Sequence, residues 1–275
     1  MTGPAQPGAA EQGAASTAAP SRRFVDRVAF VTGGASGIGQ AVVQRLADEG
    51  AFVYAADRNA QRLSELWDAD ERVEAVPVDV ADSASVDAAF ARVQARHGRL
   101  DVLVNAAGVS DLPSRLRDGK NGGPELHTIS DEAWDFVVKI NLYGPFYCMR
   151  AAVPLLKRNG ERGAAVVNIS SVGALAPYPL PAAYPASKAG VLGLTRATAA
   201  LLGADNIRVN AVAPAATKTP MLPTDEELLA SLLDLQVLKR AVPPSEMAAT
   251  IVYLCSDEAA FITGQTISPN GGYVM

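Results

Sequence analysis

Three residues of this sequence have types and spacing suited to chemistry: Ser171, Tyr184 and Lys188, in the order Ser-x12-Tyr-x3-Lys. Tyr184 and Lys188 are four apart, so at a helix entry they share one face and an ammonium can lie beside a phenol. A free tyrosine has a pKa of about 10 and is almost fully protonated at neutral pH. A fixed positive charge nearby favours the phenolate and lowers that value. A phenol tuned this way can exchange a proton with an alcohol or carbonyl oxygen. Ser171, at the end of an apolar run, can hydrogen-bond the same oxygen. Taken alone, a Tyr-x3-Lys pair is also ordinary surface decoration, so the reading turns on what else the chain supplies.

It supplies a nucleotide site. Thr32-Gly33-Gly34-Ala35-Ser36-Gly37-Ile38-Gly39 follows a predicted strand and opens a predicted helix. Glycines let the backbone turn tightly against a pyrophosphate, and the helix N-terminus offers unpaired N–H donors. Asp57 stands at the end of the second strand, where a carboxylate accepts hydrogen bonds from the adenosine ribose and repels a 2′-phosphate. The glycine loop carries no basic residue, so NAD is favoured over NADP; Arg58, beside Asp57, is the counterweight. Asp79-Val80 follows the third strand, where the carboxylate either holds an adenine amine or caps a helix. Asn105-Ala106-Ala107-Gly108 follows the fourth, with small residues that let backbone pack against a cofactor. Asn141 falls in the middle of a predicted helix, where asparagine is a poor former. It suggests a kink or a bound water, or else an ordinary polar position on a helix face.

Alternating strands and helices must position these groups. Strands are predicted at Arg27–Thr32, Ala51–Ala56, Arg72–Val78, Leu100–Val104, Ala164–Ile169, Ile207–Val212 and Thr266–Ser268. Helices are predicted at Gly37–Glu49, Ala60–Trp67, Ser83–His97, Asp131–Arg158, Pro185–Leu202, Asp225–Leu235 and Ser245–Cys255. Continuous apolar strands separated by amphipathic helices imply an α/β fold, a parallel sheet covered on both faces. Residues 1–22, rich in Ala, Gly and Pro, read as a disordered leader without the pattern of a secretion signal. Residues 23–275 read as one domain.

Composition narrows the function. Of the 275 residues, 49% are hydrophobic and 19% charged, which suits a packed core rather than disorder. The net charge of −5 comes without a basic block, which argues against nucleic acid or anionic membrane as partner. No apolar run is long enough for a membrane span. His97 and His127 are the only histidines, too few for a usual zinc site, and His97 reads as a surface residue ending its helix. Cys148 and Cys255 read as reduced core residues of a cytoplasmic protein.

The glycine motif, Asn105-Ala106-Ala107-Gly108, Asn141 and Ser171…Tyr184-x3-Lys188, in this order, resemble the short-chain dehydrogenase/reductase family from Arg27 onward. Phe261-Ile262-Thr263-Gly264 and the residues after it are similar to that family's ending. The resemblance implies a single-domain Rossmann fold, doubly wound, with seven parallel strands in the order 3-2-1-4-5-6-7. It implies Tyr184 as acid/base, Ser171 orienting the substrate oxygen, and Lys188 lowering the tyrosine pKa while holding the nicotinamide ribose. Asn141 would order a water in a proton relay to Lys188. Gly33, Ser36, Gly37, Ile38, Gly39, Asp57, Asp79, Val80, Asn105, Ala106 and Gly108 would line the cofactor, with Pro214, Thr217 and Thr219 beside the nicotinamide. It also implies a homotetramer, or a homodimer.

Two features depart from the family pattern. Pro214 is followed by Ala215 where the family has glycine, which restricts the backbone. The connection Ser110–Ser130 is long, leaves the ligand side of the sheet, and carries Arg115, Arg117 and Lys120. Leu222–Leu235 resembles the family's substrate lid, and Leu175, Ala176, Tyr178, Pro179 and Leu180 predict a mostly apolar wall. The expectation is an NAD(H)-dependent oxidoreductase of a neutral, fairly apolar secondary alcohol or ketone. The alternatives are a 3-oxoacyl-thioester reductase using NADPH and, from another class, a nucleotide-binding regulator without catalysis. An enoyl reductase is disfavoured, because its tyrosine–lysine spacing is usually wider.

Overall fold

Valine-rich runs become strands because branched side chains suit a pleated surface buried on both sides. The computed structural model describes residues 22–110, 126–176 and 182–275. The leader up to residue 21, the loop residues Arg115, Arg117 and Lys120, and Tyr178, Pro179 and Leu180 lie outside the described residues. β1 (Val28–Thr32) and β5 (Ala164–Ile169) are buried throughout. Between and around them run β2 (Phe52–Asp57), β3 (Val73–Pro77), β4 (Val102–Asn105), β6 (Ile207–Val212) and β7 (Thr266–Ile267). All pairs are parallel, in the order β3-β2-β1-β4-β5-β6-β7. The expected sheet is therefore present.

Successive side chains of a strand point to opposite faces. Ala29 and Val31 of β1 enter one core, with α1 (Gly37–Asp48), α2 (Ala60–Trp67) and α8 (Pro244–Cys255). Val28 and Phe30 enter the other, with α3 (Ser83–Arg96), α5 (Gly144–Leu156) and α6 (Ala183–Leu202). Cys148 and Cys255 are free thiols buried in these cores, as expected. Helix starts follow their caps: Asn59, Asp82, Ser130 and Asp225 each accept a backbone N–H of the first turn.

One helix prediction needs correction. Asp131–Arg158 is not continuous: α4 (Asp131–Val138) and α5 are joined by a π-helical turn at Lys139–Tyr143, and a 3₁₀ segment follows at Lys157–Arg162. Asn141 lies in the π turn, where Gly144 N–H reaches back to Lys139 O. Pro145 also has no N–H to give the Asn141 carbonyl four residues before it. His97 is corrected too. It follows α3 but is only half exposed, with its ring 4.8 Å from that of Phe52 and 5.7 Å from that of Tyr54. Apolar neighbours on β2, distant in sequence, draw it inward.

The order of the sheet reverses between β1 and β4, and ligands of open α/β sheets bind beyond the strand ends at such a point. Register sets Thr32 beside Asn105 and Asn105 beside Asn168 there. The turns that leave these strand ends carry residues 33–39, residues 106–108 and Ser171.

Candidate active site

Beyond the strand ends lies a cleft of about 540 Å³, within the range of small-molecule sites. Its floor is the glycine turn. Gly33 has φ +71°, and a Cβ there would stand 2.9 Å from Ala107 N. A Cβ on Gly39 would collide with Gly33 O, so the helix packs against its own turn. The Trp67 indole donates to Gly34 O at 3.0 Å, bracing the turn from below. Ser36 precedes α1 in extended conformation and makes no side-chain cap, and the first turn has no acidic residue. The first amides of α1 thus have no Ser36 side-chain cap, an arrangement suited to an anion.

At one end of the cleft, Asp57 accepts Ala35 N–H at 3.2 Å and Asn59 N–H at 3.0 Å. These bonds fix the carboxylate on the wall, next to exposed Arg58. Asp79 and Val80 line the same end, and Asp79 accepts Ala81 N–H at 2.9 Å. Asp79 is thus a turn residue on the cleft wall, and Asp82, not Asp79, caps α3.

At the other end stand Ser171, Tyr184 and Lys188, all lining the cleft. β5 delivers Ser171, whose Oγ accepts Gly173 N–H at 3.1 Å. The first turns of α6 carry Tyr184 and Lys188, with Lys188 Nζ 5.9 Å from the centre of the Tyr184 ring. Lys188 is 4% exposed and donates to Ile169 O at 2.9 Å. Burial in the cleft wall lowers its pKa to about 8. The ammonium remains the main form at neutral pH.

Asn141 is fully buried behind this group. Its Oδ1 accepts Val109 N–H at 2.9 Å, and its Nδ2 donates to Val109 O at 3.0 Å and Ser187 Oγ at 3.1 Å. Ser187 Oγ in turn donates to Tyr184 O at 2.7 Å. The sequence reading missed Ser187; its place between Tyr184 and Lys188, on the same helix entry, was the available signal. A Cβ on Gly108 would stand 3.2 Å from Lys188 Nζ and 3.3 Å from Asn141 Oδ1, so the bare glycine leaves the space between them open.

Other expected residues divide. Gly33, Ser36, Gly37, Ile38, Gly39, Ala106, Gly108, Pro214, Thr217 and Thr219 line the cleft. Asn105 does not: it is 2% exposed, and its Nδ2 donates to Asn168 Oδ1 at 2.8 Å, tying β4 to β5 under the floor. Ala215 lines the cleft without a positive φ, so replacement of the family's glycine brings no left-handed backbone. Leu175 is exposed and, with Ala176, stands off the wall; among the described residues Val109, Ile140, Val172, Met221, Leu222, Pro223 and Leu232 form the apolar wall. Leu232 belongs to α7 (Glu226–Asp234), the predicted lid helix. Among the described residues no group of His, Cys, Asp and Glu is placed to hold a metal, and no helix is long and apolar enough to cross a membrane.

A nucleotide floor beside a Ser–Tyr–Lys wall defines a nicotinamide-dependent oxidoreductase of CH–OH groups. Residues 33–274 match the family model described as enoyl-(acyl carrier protein) reductase. The chain is 35% identical to a 3beta-hydroxysteroid dehydrogenase of Mediterraneibacter gnavus, over 91% of this chain and 96% of the relative. It is 37% identical to a 3-oxoacyl-(acyl-carrier-protein) reductase of Thermotoga maritima, over 92% of this chain and 100% of the relative. The crystal structure of a 3-ketoacyl-(acyl-carrier-protein) reductase from Brucella melitensis, complexed with NADH, superposes with a TM-score of 0.81 at 31% identity. That match covers 91% of this chain and 99% of the other. The chain belongs to the short-chain dehydrogenase/reductase family.

Proposed function

We propose that the protein interconverts a neutral, mostly apolar secondary alcohol and its ketone with NAD(H), using Tyr184 as general acid/base. The observation that carries this reading is the shared cleft. Asp57 is fixed at its ribose end, while Ser171, Tyr184 and Lys188 meet an apolar wall at the other. Gly33, Ser36, Gly37, Ile38 and Gly39 would hold the pyrophosphate, and Pro214, Thr217 and Thr219 the nicotinamide end. When bound, the nicotinamide supplies the hydride donor and acceptor.

Tyr184 Oη takes the hydroxyl proton of the alcohol, or returns one to the ketone oxygen. Ser171 Oγ donates to that same oxygen and orients it. The Lys188 ammonium stabilises the phenolate through charge and would reach the nicotinamide ribose. The Asn141 carbonyl, without an N–H from Pro145, would accept a water that links Lys188 to solvent. The apolar wall excludes bulk water, which strengthens these interactions.

A second reading, a 3-oxoacyl-thioester reductase using NADPH, draws on the Thermotoga relative and on Arg58 at the ribose end. Turnover of cyclohexanone, a 3-ketosteroid and an acetoacetyl thioester, each with NADH and NADPH, separates the two. Preference for NADH with an uncharged ketone supports the first reading; preference for NADPH with the thioester replaces it. NADH binding without turnover of any of them would return the chain to a regulator. Exposed Phe136, Tyr143 and Phe146 on α4, the π turn and α5 support assembly as a homotetramer, which light scattering tests. Reduced buried thiols support a cytoplasmic location.

A further inference from the structure

Between Thr219 and Arg240 the chain leaves the sheet and returns, and this excursion forms a flap over the cleft. Its outgoing leg lies on the glycine turn, since a Cβ on Gly37 would stand 3.0 Å from Thr219 Cγ2. Met221, Leu222, Pro223 and Leu232 of the flap belong to the apolar wall. The two legs pair at the neck: Lys218 N–H donates to Val242 O at 2.8 Å, and Val242 N–H to Ala216 O at 3.0 Å.

One side chain crosses this neck. Gln236, just after α7, is 4% exposed. Its Oε1 accepts Ala216 N–H at 3.3 Å, and its Nε2 donates to Leu238 O at 3.2 Å and Arg240 O at 3.1 Å. One amide thus uses both of its donor hydrogens on the returning leg and its oxygen on the outgoing leg. The C-terminal turn seats at the same place. Leu238 N–H donates to Gly271 O at 2.8 Å, and a Cβ on Gly272 would stand 2.8 Å from Val237 side-chain carbons. Asn270 shapes that turn by accepting Gly272 N–H at 2.9 Å and Tyr273 N–H at 3.1 Å.

We propose that Gln236 is the positioning residue that sets the flap over the cleft, and that the turn Asn270–Tyr273 holds Gln236's leg in register. Neither touches the reacting atoms. A neck fixed at three backbone points lets the apolar end of the flap present Met221, Leu222 and Leu232 at one height above the coenzyme. An unpaired neck leaves that height undefined, and the coenzyme escapes faster. The inference rests on the cleft being the NADH site.

The test uses the full chain and NADH as probe. In the unaltered protein, the amides of Ala216 and Leu238 should exchange with deuterium at similar rates and slow together when NADH is added. Gln236→Ala should speed NADH release at least fivefold in stopped-flow fluorescence and quicken tryptic cutting after Lys239 and Arg240. Gly272→Ala, outside the cleft, should give the same two changes by pressing the tail off Val237. Release and cutting unchanged in either folded variant overturn the proposal. So do Ala216 and Leu238 amides that exchange independently, a measurement that needs no variant. A protein that binds no NADH overturns the cofactor reading instead, while exchange in the ligand-free state still reads the neck.

Discussion

Asn141 holds both backbone polar groups of Val109, accepting from its N–H at 2.9 Å and donating to its carbonyl at 3.0 Å. A strand-like pair is thereby made by one side chain, across the gap between the π turn and the segment after β4. The same amide reaches Ser187, one residue before Lys188. The relationship binds three parts of the site into one unit, and it predicts how the unit fails.

Asn141→Ala leaves the part-buried Val109 N–H and carbonyl and the buried Ser187 Oγ without these partners. Each unsatisfied buried group costs about 1–3 kcal/mol, so unfolding in urea should show a loss of about 2–4 kcal/mol. Turnover should fall with it, and Asn141→Asp, which keeps an acceptor but loses both donors, should not restore it. Stability within error of the parent would refute the clamp.

Tyr184→Phe removes the phenol oxygen proposed as the proton donor. Turnover should fall about 10²–10⁴-fold, the usual worth of acid–base catalysis, while NADH affinity measured by fluorescence titration changes less than about threefold, under 1 kcal/mol. Retained turnover would move the acid/base elsewhere.

Lys188 makes an opposite prediction for stability. Burial lowers its pKa to about 8, so below that pH the fold carries a charge that the unfolded chain solvates better. Between about 8 and the ordinary lysine value near 10.4, the unfolded chain holds a proton that the fold has released, and this group makes the fold more stable as pH rises. Lys188→Met should therefore abolish turnover yet unfold at equal or higher urea at pH 7. The stability gap between the two proteins should narrow as pH rises through this window. A Lys188→Met protein that is much less stable at pH 7 would contradict the desolvation argument.

His97 is a partly buried imidazole. Burial first, then Arg96 and Arg99, lowers its pKa; Glu74 and Asp101 pull the other way. A base with a depressed folded pKa gives stability that is present above its unfolded value, near 6.5, and lost as pH falls below it. His97→Phe, placed between Phe52 and Tyr54, should flatten the acid side of the melting-temperature profile from pH 6.5 down. An unchanged profile would assign the acid loss to other groups.

Asp57→Ser should shift coenzyme choice. It removes the charge that opposes a 2′-phosphate and leaves Arg58 in place. The NADPH-to-NADH ratio of kcat/KM should rise at least about tenfold, or about 1.4 kcal/mol. A ratio that stays constant would mean that Asp57 does not face the ribose.

Much of this site was legible from sequence because its signals are local. A glycine cluster between strand and helix, an acid at the next strand end, and a phenol four residues before an ammonium each fall within a short stretch. Strand limits were nearly right because buried parallel strands are continuous apolar runs; Ala164–Ile169 and Ile207–Val212 match to the residue. The failures share another cause. The break at Lys139–Tyr143 has only Asn141 and Pro145 as local hints, because a π turn adds a single residue between two stretches that each keep a helical hydrophobic period. His97 looked like a surface helix end because its aromatic neighbours are on β2. Asn105 fitted the cofactor motif, but its partner Asn168 lies sixty-three residues on, in a strand register no local pattern reveals. Gln236 is an ordinary glutamine until the fold brings Ala216 to it.

The bond from the Trp67 indole to the Gly34 carbonyl gives the molecule an optical gauge. Only two tryptophans occur in the sequence, and this one is clamped to the turn where a dinucleotide would rest. Its emission overlaps the absorbance of a reduced nicotinamide, so occupancy can be followed as quenching without any label. Trp134, partly exposed on α4, contributes a second band whose colour marks solvent contact. A spectrometer can therefore watch the floor of the cleft and the outer helix in one cuvette.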